Sequence, residues 1–264
     1  ENVERNLGEH KVVWPIAQDN DYGTWNAYTN RFWPAKYLID ESGIVRYTHF
    51  GEGGYAETEE QIRTLLEESG VSVSDVEIGT AEGPTAASNA YSTDPSLRLS
   101  RELYGGFQRN SAPRGIYVAH VEYYEGVDQR LDYEDPGDHQ NGFMYLQGPW
   151  INGNESIIHA RETQDNSDYI ALKFFATTVN AVVNAEGGPP FDVLVTIDGR
   201  PLTPEEAGPD IIVEDGRRFF RVDEPRMYGV VALPDFQDHE LKLSANSPDF
   251  ALFAFTFGAY LRGS

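Results

Sequence analysis

From about residue 95 onward the chain is a succession of short apolar, β-branched and aromatic runs parted by turn residues, with no helical periodicity between them. The candidate strands are "GIYVAHVEYY" (115–124), "FMYLQGPW" (143–150), "ESIIHARE" (155–162), "DYIALKFFATTVNAVVNA" (168–185), "FDVLVTIDG" (191–199), "IIVEDGRRFFRV" (211–222), "MYGVVAL" (227–233), "HELKLSA" (239–245) and "FALFAFTFGAYL" (250–261). Short strands that follow one another across turns, without helices between them, argue for antiparallel pairing. To bury their apolar faces they must close on a second layer, so residues 96–264 are expected to form an all-β antiparallel sandwich. "IDGRP" and "EDGR" supply the Asp-Gly pairs of tight hairpins. Alternation in "FALFAFTF" puts Phe253, Phe255 and Phe257 on one face.

Residues 1–70 read as mixed α/β. Asn2 to Leu7 close a helix with Gly8 as its stop, and Val12 to Ala17 is a strand-length apolar run. Tyr22, Trp25, Tyr28 and Phe32 recur at spacings that place their rings on one helical face. Tyr37–Asp40 and Ile44–Phe50 flank the turn "DESG" as a hairpin. In "TEEQIRTLLEE", Ile62, Leu65 and Leu66 keep helical spacing, and Thr58 with Gln61 makes a capping box. Residues 71–95, small, polar and rich in breakers, read as a linker.

Acidic residues outnumber basic ones 43 to 20, for a net charge of −23. Such a field repels nucleic acid and anionic membranes, so neither is an expected partner. With lysine confined to Lys11, Lys36, Lys173 and Lys242, two readings stand: a protein of a saline habitat, or an acidic extracytoplasmic one. No apolar run approaches the roughly 18 residues of a membrane span. The opening "ENVERNLGEH" lies within a helical pattern, so mature processing or excision from a longer chain is expected. The absence of cysteine excludes disulfides, thiolate metal sites and thiol chemistry within these residues.

Several phrases carry a resemblance. "PIAQDND", "W-NAY-NRFWPAKYLID", "G-VRY-HFGEG" and "TE-QIR-LL" resemble the C-terminal half of a thioredoxin-like domain of the TlpA/DipZ type, the extracytoplasmic thiol–disulfide oxidoreductases. "GPWINGNES", "VLVTIDGRP", "VDEPRMY" and "FALFAFTFG" resemble the β-sandwich that follows that domain in DipZ proteins and is itself similar to carbohydrate-binding modules, of jelly-roll type. The resemblance implies an incomplete α/β thioredoxin-like half over 1–70 and a sandwich over 96–264. It further implies a cis peptide bond at Trp33-Pro34, with Pro34 positioning an extended thiol substrate and Trp33 bordering its groove. The family's Cys-X-X-Cys would lie upstream of Glu1, so no catalytic residue is assigned here and the chain alone is expected to be redox-inactive. The implied partners are extracytoplasmic thiol or disulfide proteins, a glycan or protein at the sandwich, and a missing N-terminal segment or another chain that completes the α/β sheet. The implied location is periplasmic, cell-surface or secreted, with anchoring to a membrane through an N-terminal region. The alternative is a non-catalytic glycan- or protein-binding module with the thioredoxin remnant as its scaffold.

Other constellations are thin. His10, His49, His120, His139, His159 and His239 show no compact ligand spacing, and no cofactor fingerprint is present, so neither metal nor cofactor is expected. In "LDYEDPGDHQNG", Asp132, Glu134, Asp135 and Asp138 offer oxygens to calcium, with a solvated loop as the simpler reading. Tyr123, Tyr124, Tyr133, Tyr145 and Trp150 are the rings available to stack on a sugar.

Overall fold

The computed structural model describes residues 2–9, 11–51, 53–78, 98–110, 115–185 and 188–259. The chain forms two compact units, Glu1–Gly83 and Pro84–Ser264. Most of the expected linker, 79–95, lies outside the described residues, as do His10 and the end of the last candidate strand.

The first unit opens with α1 (Asn2–Glu9). Gly8 lies inside this helix rather than ending it. The stop is Lys11, left-handed at φ 51°, beside which the Val12 N–H reaches back to the Leu7 carbonyl at 2.9 Å. Val12 to Ala17 is not a strand: it finds no neighbour to pair with among the described residues, and Val13 and Trp14 stand exposed. The short α2 (Gly23–Ala27) ends at once, because Thr29 turns left-handed and the Asn30 N–H closes on the Trp25 carbonyl. The expected single aromatic stripe is therefore split. Trp25 packs on Trp33, Tyr28 on Tyr37, and Phe32 on Phe50.

β1 (Ala35–Ile39) and β2 (Val45–Phe50) form the expected hairpin, Ala35 opposite Phe50 and Leu38 opposite Tyr47. Asp40 holds the turn by accepting from the Ser42 and Ile44 N–H groups. α3 (Tyr55–Glu68) starts earlier than the capping box allows. Thr58 falls inside its first turn, where its hydroxyl donates to the Gly54 carbonyl at 2.7 Å. Gly54 is required twice over: its φ is 63°, and a Cβ there would sit 2.5 Å from the His49 ring. Arg46 ties the hairpin to α3 through Glu68, and Arg63 draws the chain back onto the helix by donating to the Val73 and Glu77 carbonyls. Residues 71–77, expected to be linker, thus belong to this unit. Val73 is its only buried side chain among the described residues, so it holds almost no closed core.

The second unit is all-β. Its strands are β3 (Leu103–Tyr104), β4 (Arg130–Tyr133), β5 (Met144–Asn152), β6 (Ile157–His159), β7 (Asp168–Ala185) and β8 (Phe191–Ile197). Then come β9 (Arg200–Pro201), β10 (Ile212–Glu214), β11 (Arg217–Val222), β12 (Arg226–Ala245) and β13 (Phe250–Gly258). They join antiparallel in the order β10-β11-β8-β12-β7-β13-β6-β5-β4. β7 and β12 pair along their length, and the β7 side facing away from β12 passes from β5 to β13 midway. The inward faces share one core that includes Trp150, Phe174, Phe220, Tyr228, Phe250 and Phe255. Each such ring or aliphatic chain contributes about 1.5–3 kcal/mol on full burial, which is where this unit's stability resides. Asp198-Gly199 and Asp215-Gly216 all have positive φ, the geometry of the expected tight hairpins.

Two strand expectations fail. Residues 115–124 contain only isolated bridges and a 3₁₀ turn (Val121–Tyr124). The buried Asn110 side chain, rather than a neighbouring strand, takes the Tyr117 and Val118 N–H groups. In β13 the register shifts between Leu252 and Ala254, so Phe255 enters the core while Phe253 does not share its face.

Candidate functional site

Trp33 and Pro34 lie on the loop that enters β1, and the peptide bond between them is cis. Asn30 builds this loop. Its Oδ1 accepts from the Arg31 N–H at 3.0 Å and the Tyr37 hydroxyl at 3.0 Å, and its Nδ2 donates to the Phe32 carbonyl at 3.0 Å. The Pro34 carbonyl accepts from the Gly51 N–H at 2.8 Å, fixing the loop to the end of β2. Asp19 organises the facing segment: its carboxylate accepts from the Trp25 N–H (2.8 Å) and the Thr24 N–H (2.9 Å). Those backbone bonds, Trp25 foremost, hold the Asp19 carboxyl below the usual range, so it remains an anion at the start of α2.

Trp25, Tyr28, Trp33, Ala35, Tyr37 and Ile39 line an open groove of about 580 Å³ along β1. Trp33 is 70% exposed, with its ring centroid 4.6 Å from that of Trp25. Among the described residues neither its amide nor its carbonyl takes a hydrogen-bond partner. The edge of β1 away from β2 carries no strand among the described residues. An aromatic floor beside unpaired backbone groups can bind an extended chain by strand addition. It cannot itself exchange a disulfide, since no thiol is present. The family phrases point to Trp33 and Pro34 but not to Asn30 and Asp19, for which an Asn or Asp just ahead of an irregular turn is the available signal.

The other candidates do not assemble into sites. Tyr123, Tyr133, Tyr145 and Trp150 are buried, and Tyr124 is half-buried with its hydroxyl bonded to Val118, so none offers an open face to a sugar. The acidic loop is not simply solvated. Asp135 is enclosed, one carboxylate oxygen 2.7 Å from His139 Nε2 and the other accepting from the Tyr169 hydroxyl at 2.8 Å. His139 Nδ1 lies 2.8 Å from Glu240, and the ring stacks on Tyr145, which latches the loop to the sheet. Burial pushes the Asp135 carboxyl up, but His139, the Gly137 N–H and Tyr169 outweigh it and hold the group below its ordinary value. His159 and Arg161 similarly share Asp168. His120 accepts the Leu146 N–H through Nε2, and burial lowers its pKa. Among the described residues no cluster of His, Asp or Glu is arranged to hold a metal ion.

Residues 100–258 match the family described as "Thioredoxin like C-terminal domain". The chain is similar to Protein DipZ of Mycobacterium tuberculosis (strain CDC 1551 / Oshkosh), 31% identical over 260 residues, 97% of this chain. It is also similar to the thiol-disulfide oxidoreductase YkuV of Bacillus subtilis (strain 168), 28% identical over 67 residues, 25% of this chain and 45% of YkuV. Among solved structures it is similar to a family two carbohydrate esterase from Cellvibrio japonicus, at 12% identity and a TM-score of 0.33, over 50% of this chain and 33% of that one. The chain spans 32% of the length of the DipZ protein it matches.

Proposed function

The chain belongs to the family of thioredoxin-like C-terminal domains, and on that premise we propose that it is the substrate-receiving and accessory portion of an extracytoplasmic DipZ/TlpA-like thiol–disulfide oxidoreductase. The observation that carries this reading is the Trp33-Pro34 loop: exposed, aromatic, and bearing unpartnered backbone groups beside an open strand edge. An extended segment of a thiol or disulfide protein pairs with the Trp33 backbone, and Trp25, Trp33 and Tyr37 supply the apolar wall. The reacting cysteines are contributed by the remainder of such a protein, since this chain has none. The division of labour is one of positioning here and electron transfer elsewhere, which is how binding at a distance from the reacting atoms accelerates exchange.

The test has two arms on the intact chain. With dithiothreitol as reductant, insulin reduction should proceed at the rate without protein; a rate above that background would overturn the placement of the thiol chemistry. An extended peptide with a central serine in place of cysteine, titrated by NMR, should shift the amides of Asn30 to Tyr37. Shifts confined to the sandwich would refute the groove.

A further inference from the structure

In a chain this acidic, arginines are expected to sit beside carboxylates, and Arg46, Arg63, Arg161, Arg200, Arg221 and Arg226 do. Arg98, Arg101 and Arg109 have no carboxylate partner among the described residues, a state they share with Arg31, Arg217 and Arg218; Glu102, the only acidic residue within 98–117, instead accepts from the Tyr104 hydroxyl. Arg101 and Arg109 belong to a surface ladder. The Arg109 guanidinium lies 4.7 Å over the Tyr104 ring, Tyr104 meets Tyr117 edge-on at 5.4 Å, and Arg101 lies 4.6 Å over Tyr117 and 5.7 Å from Phe143. Ile116 is exposed beside it. The ladder is held rigid from beneath, since Asn110 bonds the Tyr104 carbonyl and the Tyr117 N–H. Arg101 uses Nη2 to grip the Ile116 and Gly142 carbonyls, leaving Nε and Nη1 without partners among the described residues. Arg109 has its whole donor fork in that state.

We propose that this arginine–tyrosine ladder is a docking surface for an acidic, extended segment of a partner protein. Carboxylates take the two guanidinium forks in charge-assisted pairs, and apolar side chains between them lie on Tyr104, Tyr117 and Ile116. Because the rings and Asn110 already fix the cations, little side-chain freedom is lost on binding. An anionic membrane is the poorer fit. A plane of charge meets the field of the whole molecule, net −23, whereas a short peptide feels mainly what lies within a Debye length, about 8 Å at physiological salt.

The probe is a labelled peptide of alternating glutamate and leucine, compared with its glutamine counterpart and with phosphatidylserine vesicles, on the intact chain. The glutamate peptide should bind saturably and more weakly as salt rises, while the glutamine peptide and the vesicles do not bind. Arg109→Gln should weaken binding about tenfold, as loss of a charge-assisted bond implies, and Arg109→Lys should recover part of it. Arg109 makes no side-chain hydrogen bond among the described residues, so this variant does not endanger the fold. Arg200→Gln, an equal change in charge at a paired arginine, should leave affinity unchanged. Equal binding of the glutamine peptide, equal damage from Arg200→Gln, binding of the vesicles instead, or no binding of the glutamate peptide would each overturn the proposal.

Discussion

Replacing Asn110 with alanine would remove the side chain that stands in for a strand across 104–118. Its Nδ2 donates to the Tyr104 carbonyl at 2.7 Å and the Gly106 carbonyl at 3.0 Å. Its Oδ1 accepts from the Tyr117 N–H at 2.9 Å, the Val118 N–H at 3.1 Å and the Tyr124 hydroxyl at 3.2 Å. The residue is 1% exposed, so water does not replace these bonds without entering the core. Each orphaned buried amide costs about 1–3 kcal/mol and each lost carbonyl bond about 0.5–1.5 kcal/mol. The Tyr124 hydroxyl, already 3.3 Å from the Val118 nitrogen, can recover one of them. The net loss is therefore about 2–6 kcal/mol, a large share of a typical domain's stability. Urea unfolding followed by far-UV circular dichroism should show a lower midpoint with an unchanged slope. Asn110→Asp sharpens the test: it keeps the acceptor but turns a second oxygen toward two carbonyls, so this variant should gain stability as acid protonates the carboxyl. A loss under about 1 kcal/mol for Asn110→Ala, or a pH-independent Asn110→Asp, would refute the view that this side chain replaces a sheet neighbour.

Gly54→Ala should destabilise the first unit by at least about 1 kcal/mol through its left-handed φ, with an added clash against His49; pairing it with His49→Ala should relieve the clash alone, read from thermal melts. Asp168 is buried, which raises its pKa, but Arg161 and His159 outweigh burial and hold it below 3.8. Its contribution is thus full above the unfolded value and lost as pH falls through the lower folded one, so Asp168→Asn should cost on the order of 2–4 kcal/mol at neutral pH and flatten the acid limb of the stability profile. Arg200 is the chief cause that holds the Glu206 carboxyl at about 2, so Arg200→Gln should return its NMR titration toward the ordinary range near 4.5.

The parts of the fold legible in sequence are those set by local period and turn chemistry. The 37–50 hairpin, the helix through Ile62, Leu65 and Leu66, and the long runs of β7, β8 and β12 all announce themselves this way. What failed depends on partners far along the chain. "GIYVAHVEYY" has strand composition, but Asn110 takes the Tyr117 and Val118 amides, and Val12–Ala17 has strand composition without a neighbour among the described residues. The Tyr123 and Trp150 rings look available for stacking until the sheet closes over them. At the candidate site, Trp33 and Pro34 were found through family phrases, whereas the roles of Asn30 and Asp19 needed the loop's geometry, because neither residue type names its acceptors in advance.

The tryptophans are divided unequally between the two units. Trp150 is completely enclosed in the sandwich, 4.9 Å from the His159 ring, whereas Trp14 and Trp33 of the first unit face water. The short-wavelength part of the emission is therefore expected from Trp150 and the long-wavelength part from Trp14 and Trp33, with the half-buried Trp25 between them. Acrylamide should quench the second component and spare the first, so unfolding of the sandwich and occupation of the Trp33 groove can be followed in one unlabelled sample.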